Sequence, residues 1–184
     1  MSDVWMFDPQ HSAIRFSVRW LMVGRVSGTF NRWGGSVKYD PKAPLATQVS
    51  LELESATVDT GIPDRDTHLR TDDFFGVERF PKITFASSKV TAVSEKRLQV
   101  AGLLKIRDAS KEVTLDVLSL GTVSDPWGKE RAGFQVRSTF NRRDFGLTWG
   151  TIMSAGAEKA RQKVEVVVVG EMVDLEADII LTRQ

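Results

Sequence analysis

Every second residue from Ile14 to Trp20 is apolar, and Arg15, Ser17 and Arg19 stand between them. Side chains on a strand point alternately to opposite faces, so this segment has one apolar face and one wet face. The rhythm returns in Val49, Leu51 and Leu53, in Leu98, Val100, Gly102, Leu104 and Ile106, and in Val173, Leu175, Ala177, Ile179 and Leu181. It predicts strands near 12–22, 26–39, 46–54, 82–93, 97–106, 111–121, 130–142 and 171–182. Repeated half-buried strands separated by turn residues predict an all-β, antiparallel domain that closes around an interior.

Most connections are short and carry turn residues: Val23-Gly-Arg, Asp40-Pro-Lys-Ala-Pro, Val93-Ser-Glu-Lys and Arg107-Asp-Ala-Ser. Neighbouring strands are therefore expected to pair as a meander. Two connections are longer. The stretch from Ser55 to Pro81 exceeds any hairpin loop, and loops of that length in small domains hold structure or function. Within it, a short helix capped by Asp64 is expected through Leu69, with Phe74, Phe75 and Phe80 as apolar anchors of a lid or plug over one barrel mouth. Between Gly150 and Gly170, Ser154 to Lys163 reads as a short helix, and periodicity leaves Val164 to Val169 open between strand and coil.

The chain of 184 residues fits one domain over 1–184, and its 41% hydrophobic and 27% charged residues are ordinary for a folded protein. Its 25 Lys and Arg offset 24 Asp and Glu without long single-sign blocks, which speaks against a nucleic-acid partner. Without cysteine there is neither a disulfide nor a thiolate metal site. The start shows no basic segment followed by an apolar stretch, so the expected location is the cytoplasm, or the periplasm if an upstream signal has been removed. The apolar run Val166 to Val169 is far short of the roughly 20 residues of a transmembrane helix. Ten Phe and five Trp against one Tyr point to rings in fully apolar surroundings.

Several motifs together are similar to a known family. Trp5-Met-Phe-Asp-Pro-Gln-His-Ser-Ala-Ile-Arg-Phe-Ser-Val, Val26-Ser-Gly-Thr-Phe and Tyr39-Asp-Pro resemble the opening of the YceI-like, polyisoprenoid-binding family. So do Thr60-Gly, Arg65-Asp-Thr-His-Leu-Arg-Thr-Asp-Asp-Phe-Phe and Phe80-Pro-Lys-Ile-Thr-Phe. Asp125-Pro-Trp-Gly, Arg131-Ala-Gly-Phe, Asn141-Arg-Arg-Asp-Phe-Gly-Leu-Thr-Trp and Val169-Gly-Glu complete the series over nearly the whole chain. The resemblance implies a bacterial, eight-stranded antiparallel barrel of lipocalin-like shape, often a homodimer, with a hydrophobic tunnel for a polyisoprenoid or isoprenoid quinone. The chain departs from the pattern at Asp108 and Glu112, where the family writes Gly and Pro, and in a charged insertion near 156–166.

An eight-stranded barrel either packs its interior solid or holds one slender ligand, and the residues alone leave both open. The resemblance favours the ligand. Expected tunnel residues are Phe16, Val18, Trp20, Phe30, Trp33, Phe74, Phe75, Phe85, Val100, Leu104, Phe134, Val136, Phe140 and Trp149. Burying a tail of about forty carbons would grossly gain on the order of 30 kcal/mol. Because non-covalent binding saturates near 20 kcal/mol, ordering costs must cancel much of that, and about 0.3 kcal/mol per atom leaves roughly 12 kcal/mol. Arg65, His68 and Arg70 are the candidate head-group contacts, since Arg and His donate to quinone or phosphate oxygens. The alternative for Arg65 and Asp66 is structural, pairing with each other or with backbone to hold the lid.

His11 and His68 are the only histidines and show no metal-ligand spacing, so no metal is expected. No nucleophile-elbow, Walker or dinucleotide motif occurs, and no catalytic residue is assigned. The leading reading is a non-enzymatic carrier or store for a long isoprenoid lipid. Two others stand beside it: a lipid head-group enzyme using His68, Asp66 and Arg65, and a solid-cored interaction module whose segment Glu158 to Lys163 meets a partner.

Overall fold

In a computed structural model the chain is described over residues 4–150 and 168–184, and as backbone alone at 153–155 and 164–166. The strands are β1 (Trp5–Phe7), β2 (Ala13–Trp20), β3 (Gly24–Phe30), β4 (Trp33–Lys38), β5 (Gln48–Glu54), β6 (Val58–Asp59), β7 (Lys82–Ala92) and β8 (Arg97–Ile106). They continue as β9 (Ala109–Ser124), β10 (Glu130–Asn141), β11 (Met153–Ala155), β12 (Val164–Val166) and β13 (Val169–Arg183), with one helix, α1 (Pro63–Arg70). All eight expected spans are strand, joined by the short β1, β6, β11 and β12.

The expected span 26–39 is two strands, β3 and β4, parted at Asn31 and Arg32. The sequence carries the signal as a change of phase. Val26 and Phe30 face inward on even positions, whereas Val37 and Tyr39 face inward on odd ones. A period-two pattern can change phase only where the chain kinks or bulges.

That kink closes the molecule. The main sheet runs β4-β5-β7-β8-β9-β10-β13-β2-β3-β6, so its opposite sides, β4 and β3, are consecutive pieces of one chain. The stretch after β5 follows them round. Glu54 N–H donates to Arg32 C=O, Asn31 N–H donates to Thr57 C=O, and β6 then pairs with β3 at Phe30↔Val58. The result is an antiparallel barrel with β1 added to the far end of β13 at Trp5↔Arg183.

Two glycines let the wall curl inward. A Cβ on Gly28 would lie 2.6 Å from the Phe16 ring, and one on Gly102 would lie 2.5 Å from both the Phe85 ring and the Ala86 carbonyl. Each ring occupies the space a side chain would take.

Three local expectations are corrected. Helix α1 starts with Pro63 as its first residue and Ile62 as its cap, without side-chain capping; Asp64 lies in its first turn. Pro favours that position because its missing N–H has no helical partner there. The β2–β3 turn is Leu21–Val23, not Val23-Gly-Arg, and Gly24 already pairs with Trp20. Ser154 and Ala155, expected in a helix, lie in β11, which pairs with β12. Residues 156–163 of the charged insertion lie outside the described residues.

Candidate functional site

The inward faces of the strands do not meet in a solid core. They enclose a cavity of about 600 Å³. Val49, Leu51 and Leu53 of β5, Val113, Leu115 and Val117 of β9, and Val173 and Leu175 of β13 lie on its wall. Phe85, Val100 and Val117 form a buried cluster of their own, packed with Leu104, Phe134 and Val136.

The two ends differ. At the β1 end the rings crowd together: Tyr39 meets Trp5 at 5.4 Å and Phe134 at 5.3 Å, and Phe7 meets Trp33 at 5.7 Å, all edge to face. At the Val169 end, α1 and the residues after it pack inward. Phe75 lies 5.5 Å from Phe30, and Trp149 lies 5.3 Å from Phe74 and 4.6 Å from the His68 ring.

Of the apolar residues expected on the wall, Phe16, Val18, Trp20, Phe30, Phe74, Phe75, Phe85, Val100, Leu104, Phe134, Val136, Phe140 and Trp149 line the cavity. Trp33 does not. It shares the inward side of β4 with Val37, but β1 crosses that end and puts the Phe7 ring against it, so Phe7 takes the wall position.

The polar candidates are placed less simply. Arg65 reaches the wall but donates from Nε to the Thr60 hydroxyl at 2.7 Å and from Nη2 to the Thr60 carbonyl at 2.9 Å. Asp66 is buried and accepts from the same residue, at 2.9 Å from its N–H and 2.6 Å from its hydroxyl. Arg70 is not on the wall; it donates to the carbonyls of Ala56 at 2.8 Å and Val58 at 3.0 Å. These side chains hold α1 against β6 and the turn before it, so Arg65 and Asp66 meet on Thr60 instead of each other.

His68 reaches the wall and pairs through Nε2 with the Asp73 carboxylate at 2.8 Å. The trio His68, Asp66 and Arg65 is therefore not assembled as one constellation. Among the described residues, no three His, Asp or Glu side chains are grouped to hold a metal ion.

Arg142 likewise grips backbone. This residue is 2% exposed, and its guanidinium donates to the carbonyls of Leu147 at 2.6 Å, Gly170 at 2.8 Å and Val169 at 2.9 Å. Burial pushes its pKa below the usual arginine value, while the nearby Glu171 charge opposes that shift. It ties the segment after β10 to the start of β13 beside the cavity.

A family model for the YceI-like domain matches residues 5–181. The chain belongs to the YceI-like family. Protein YceI of Salmonella newport (strain SL254) is 33% identical over 159 residues, spanning 86% of this chain and 80% of the relative. A UPF0312 protein of Enterobacter sp. (strain 638) is 36% identical over 139 residues, spanning 76% and 72%.

Among solved structures, BcnA of Burkholderia cenocepacia superposes with a TM-score of 0.77 at 19% identity, covering 95% of this chain and 98% of that one. A polyisoprenoid binding domain from Saccharophagus degradans superposes with a TM-score of 0.67 at 14% identity, covering 98% and 99%. At these identities the likeness is one of fold. The YceI-like motif stretch Arg65 to Phe75 thus coincides with α1 and the rings packed at the Val169 end. No described helix of this YceI-like chain is long and apolar enough to cross a membrane.

Proposed function

We propose that this protein binds a long-chain isoprenoid lipid, a polyprenyl chain or an isoprenoid quinone, inside its barrel and carries or stores it without changing it. The hollow, apolar interior carries this reading. Its 600 Å³ lies in the middle of the usual range of ligand sites, about 300–1,000 Å³. A solid-cored domain of this size would fill that space with its own side chains. The resemblance of fold to a domain named for polyisoprenoid binding points the same way.

The volume also bears on ligand size. At about 30 Å³ for each water-sized group, the cavity takes on the order of 20 heavy atoms. A forty-carbon tail therefore leaves about half its length outside, in the mouth or beyond it. At about 0.3 kcal/mol per enclosed atom the enclosed part is worth roughly 6 kcal/mol, half of the value reckoned for a whole tail.

The polar groups at the Val169 end support a carrier more than a catalyst. Arg65 is bonded to Thr60 and Arg142 to three carbonyls, whereas His68, held by Asp73, lies on the wall beside Arg19 and Asp64 as a polar group a head group could meet. Native mass spectrometry followed by lipid extraction tests the proposal. Protein purified gently should carry a prenyl lipid, or take one up when offered, and return it chemically unchanged. Recovery of empty barrel that takes up no added prenyl lipid refutes binding. Conversion of the lipid that is lost in His68→Ala refutes the non-enzymatic part. The same spectra read the homodimer that the family resemblance implies.

A further inference from the structure

Tight antiparallel turns need left-handed backbone, so they usually carry Asn, Gly or Asp. The turn between β2 and β3 carries Leu21, Met22 and Val23 instead, and the first two stand at φ 47° and 62°. Large side chains are disfavoured in that region, because Cβ crowds the following carbonyl. The strain is not offset by packing within the chain. Met22 is 60% exposed, Val23 88%, and Trp20 at the base of the turn 46%. Strain and bared apolar surface coincide on consecutive residues, which marks a place shaped for an outside contact.

The charge behind the tip narrows the partner. Arg19 and Arg25 are exposed and directly opposite in the β2–β3 register, an arrangement that like charges disfavour. Arg25 is partly compensated by Asp174 at 2.9 Å. An apolar tip, an indole ring just behind it and a pair of guanidinium groups one step further back match the layering of an anionic bilayer surface. Aliphatic side chains suit its acyl region, Trp its interface, and Arg its phosphates.

Position supplies the reason. Leu21 N–H donates to the Val168 carbonyl at 2.9 Å, so the tip stands at the Val169 end, and Trp20 is both part of its base and part of the cavity wall. Apolar surface thus runs from the tip into the interior.

We propose that the β2–β3 tip docks the barrel on an anionic phospholipid membrane, so that a lipid passes between bilayer and cavity without crossing water. The purpose rests on the lipid-binding reading above, whereas the docking can be measured without it. Vesicles of phosphatidylcholine, with and without phosphatidylglycerol, are spun down with the protein at about 0.1 M salt, where surface charges still act over about 10 Å.

The whole protein should partition onto the phosphatidylglycerol vesicles, and M22D/V23D should reduce that partition about tenfold or more by putting two carboxylates where apolar contact is made. Arg19→Gln should lessen the dependence on phosphatidylglycerol. The variant L21N/M22G guards against a merely unfolded result. It gives the turn the residues its backbone prefers, so its thermal midpoint should rise while its vesicle binding falls.

Cavity and tip are separable. Val136→Trp should lower the uptake of prenyl lipid offered in detergent solution and leave vesicle binding in place, whereas the tip variants should keep that uptake and lose vesicle binding. Wild-type protein that ignores phosphatidylglycerol vesicles, or tip variants that bind like wild type, would overturn the proposal. So would a concentration-dependent dimer abolished by the tip variants without any vesicle binding, which would assign the tip to a second copy of the chain.

Discussion

Affinity for prenyl chains should grow with length and then stop growing. The cavity of 600 Å³ holds on the order of 20 heavy atoms, which is four five-carbon isoprene units. Up to that length each further unit encloses about five more atoms, worth about 1.5 kcal/mol at about 0.3 kcal/mol each, or roughly a tenfold lower Kd. A four-unit chain should then bind in the range of tens of micromolar, and units beyond the fourth should add little. Trp20 and Trp149 on the wall make intrinsic fluorescence the natural assay, titrated with prenyl alcohols of two to eight units. Val136→Trp sharpens the test. It adds about seven heavy atoms to the wall, more than one isoprene unit, and should move the plateau down by about one unit. A Kd indifferent to length between two and four units, or a plateau that stays in place in Val136→Trp, would refute the reasoning.

Two further outcomes follow from the polar framework. Arg142→Met keeps the bulk of the stem but leaves three inward carbonyls without their donor, which should cost about 2–4 kcal/mol and lower the thermal midpoint by about 4–16 °C; an unchanged midpoint by calorimetry would mean that the carbonyls find other donors. The second concerns acid. Arg131 lies between Asp8 at 2.5 Å and Asp125 at 2.8 Å. Burial would raise the Asp8 carboxyl, but hydrogen bonds from His11 and Arg131 outweigh it, and the Lys129 N–H and Arg131 hold Asp125 below the usual carboxylate range. Groups depressed in the folded state stabilise it fully above the unfolded pKa of about 3.9 and cease to as pH falls through the folded value. Thermal midpoints should therefore drop steeply below about pH 4, and Arg131→Gln should be less stable at neutral pH with a shallower acid limb. Parallel curves for the two proteins would sink that account.

The long strands were legible because each buries one face and so keeps strict alternation; Ile14 to Trp20 and Val173 to Leu181 show it most plainly. β1 and β6, of three and two residues, are too short to carry a period, and only their partners define them. The break between β3 and β4 was present as a phase change, obscured because Gly28, Gly34 and Gly35 remove the side chains that would mark it. The wall residues on the strands were legible for the same reason as the strands, whereas Phe74, Phe75 and Trp149 lie outside any strand. What decides between wall and second layer at Trp33 is the crossing of β1, a contact between distant parts of the chain. The arginines show the limit most clearly. Arg65, Arg70 and Arg142 are alike as letters, and only three-dimensional placement reveals that all three grip backbone carbonyls.

The kink at Asn31 and Arg32 has a bearing on how cargo leaves. Because one covalent strand joins the two sides of the sheet, pairing with β2 through β3 and with β5 through β4, parting the wall sideways there would mean breaking one of those ladders. A chain bound as proposed should then slide out along its own length, like a thread drawn through an eyelet. Its escape time is then governed by how many carbons must be dragged past the rim, and a loaded barrel becomes a slow-release vessel whose clock is set by the tail.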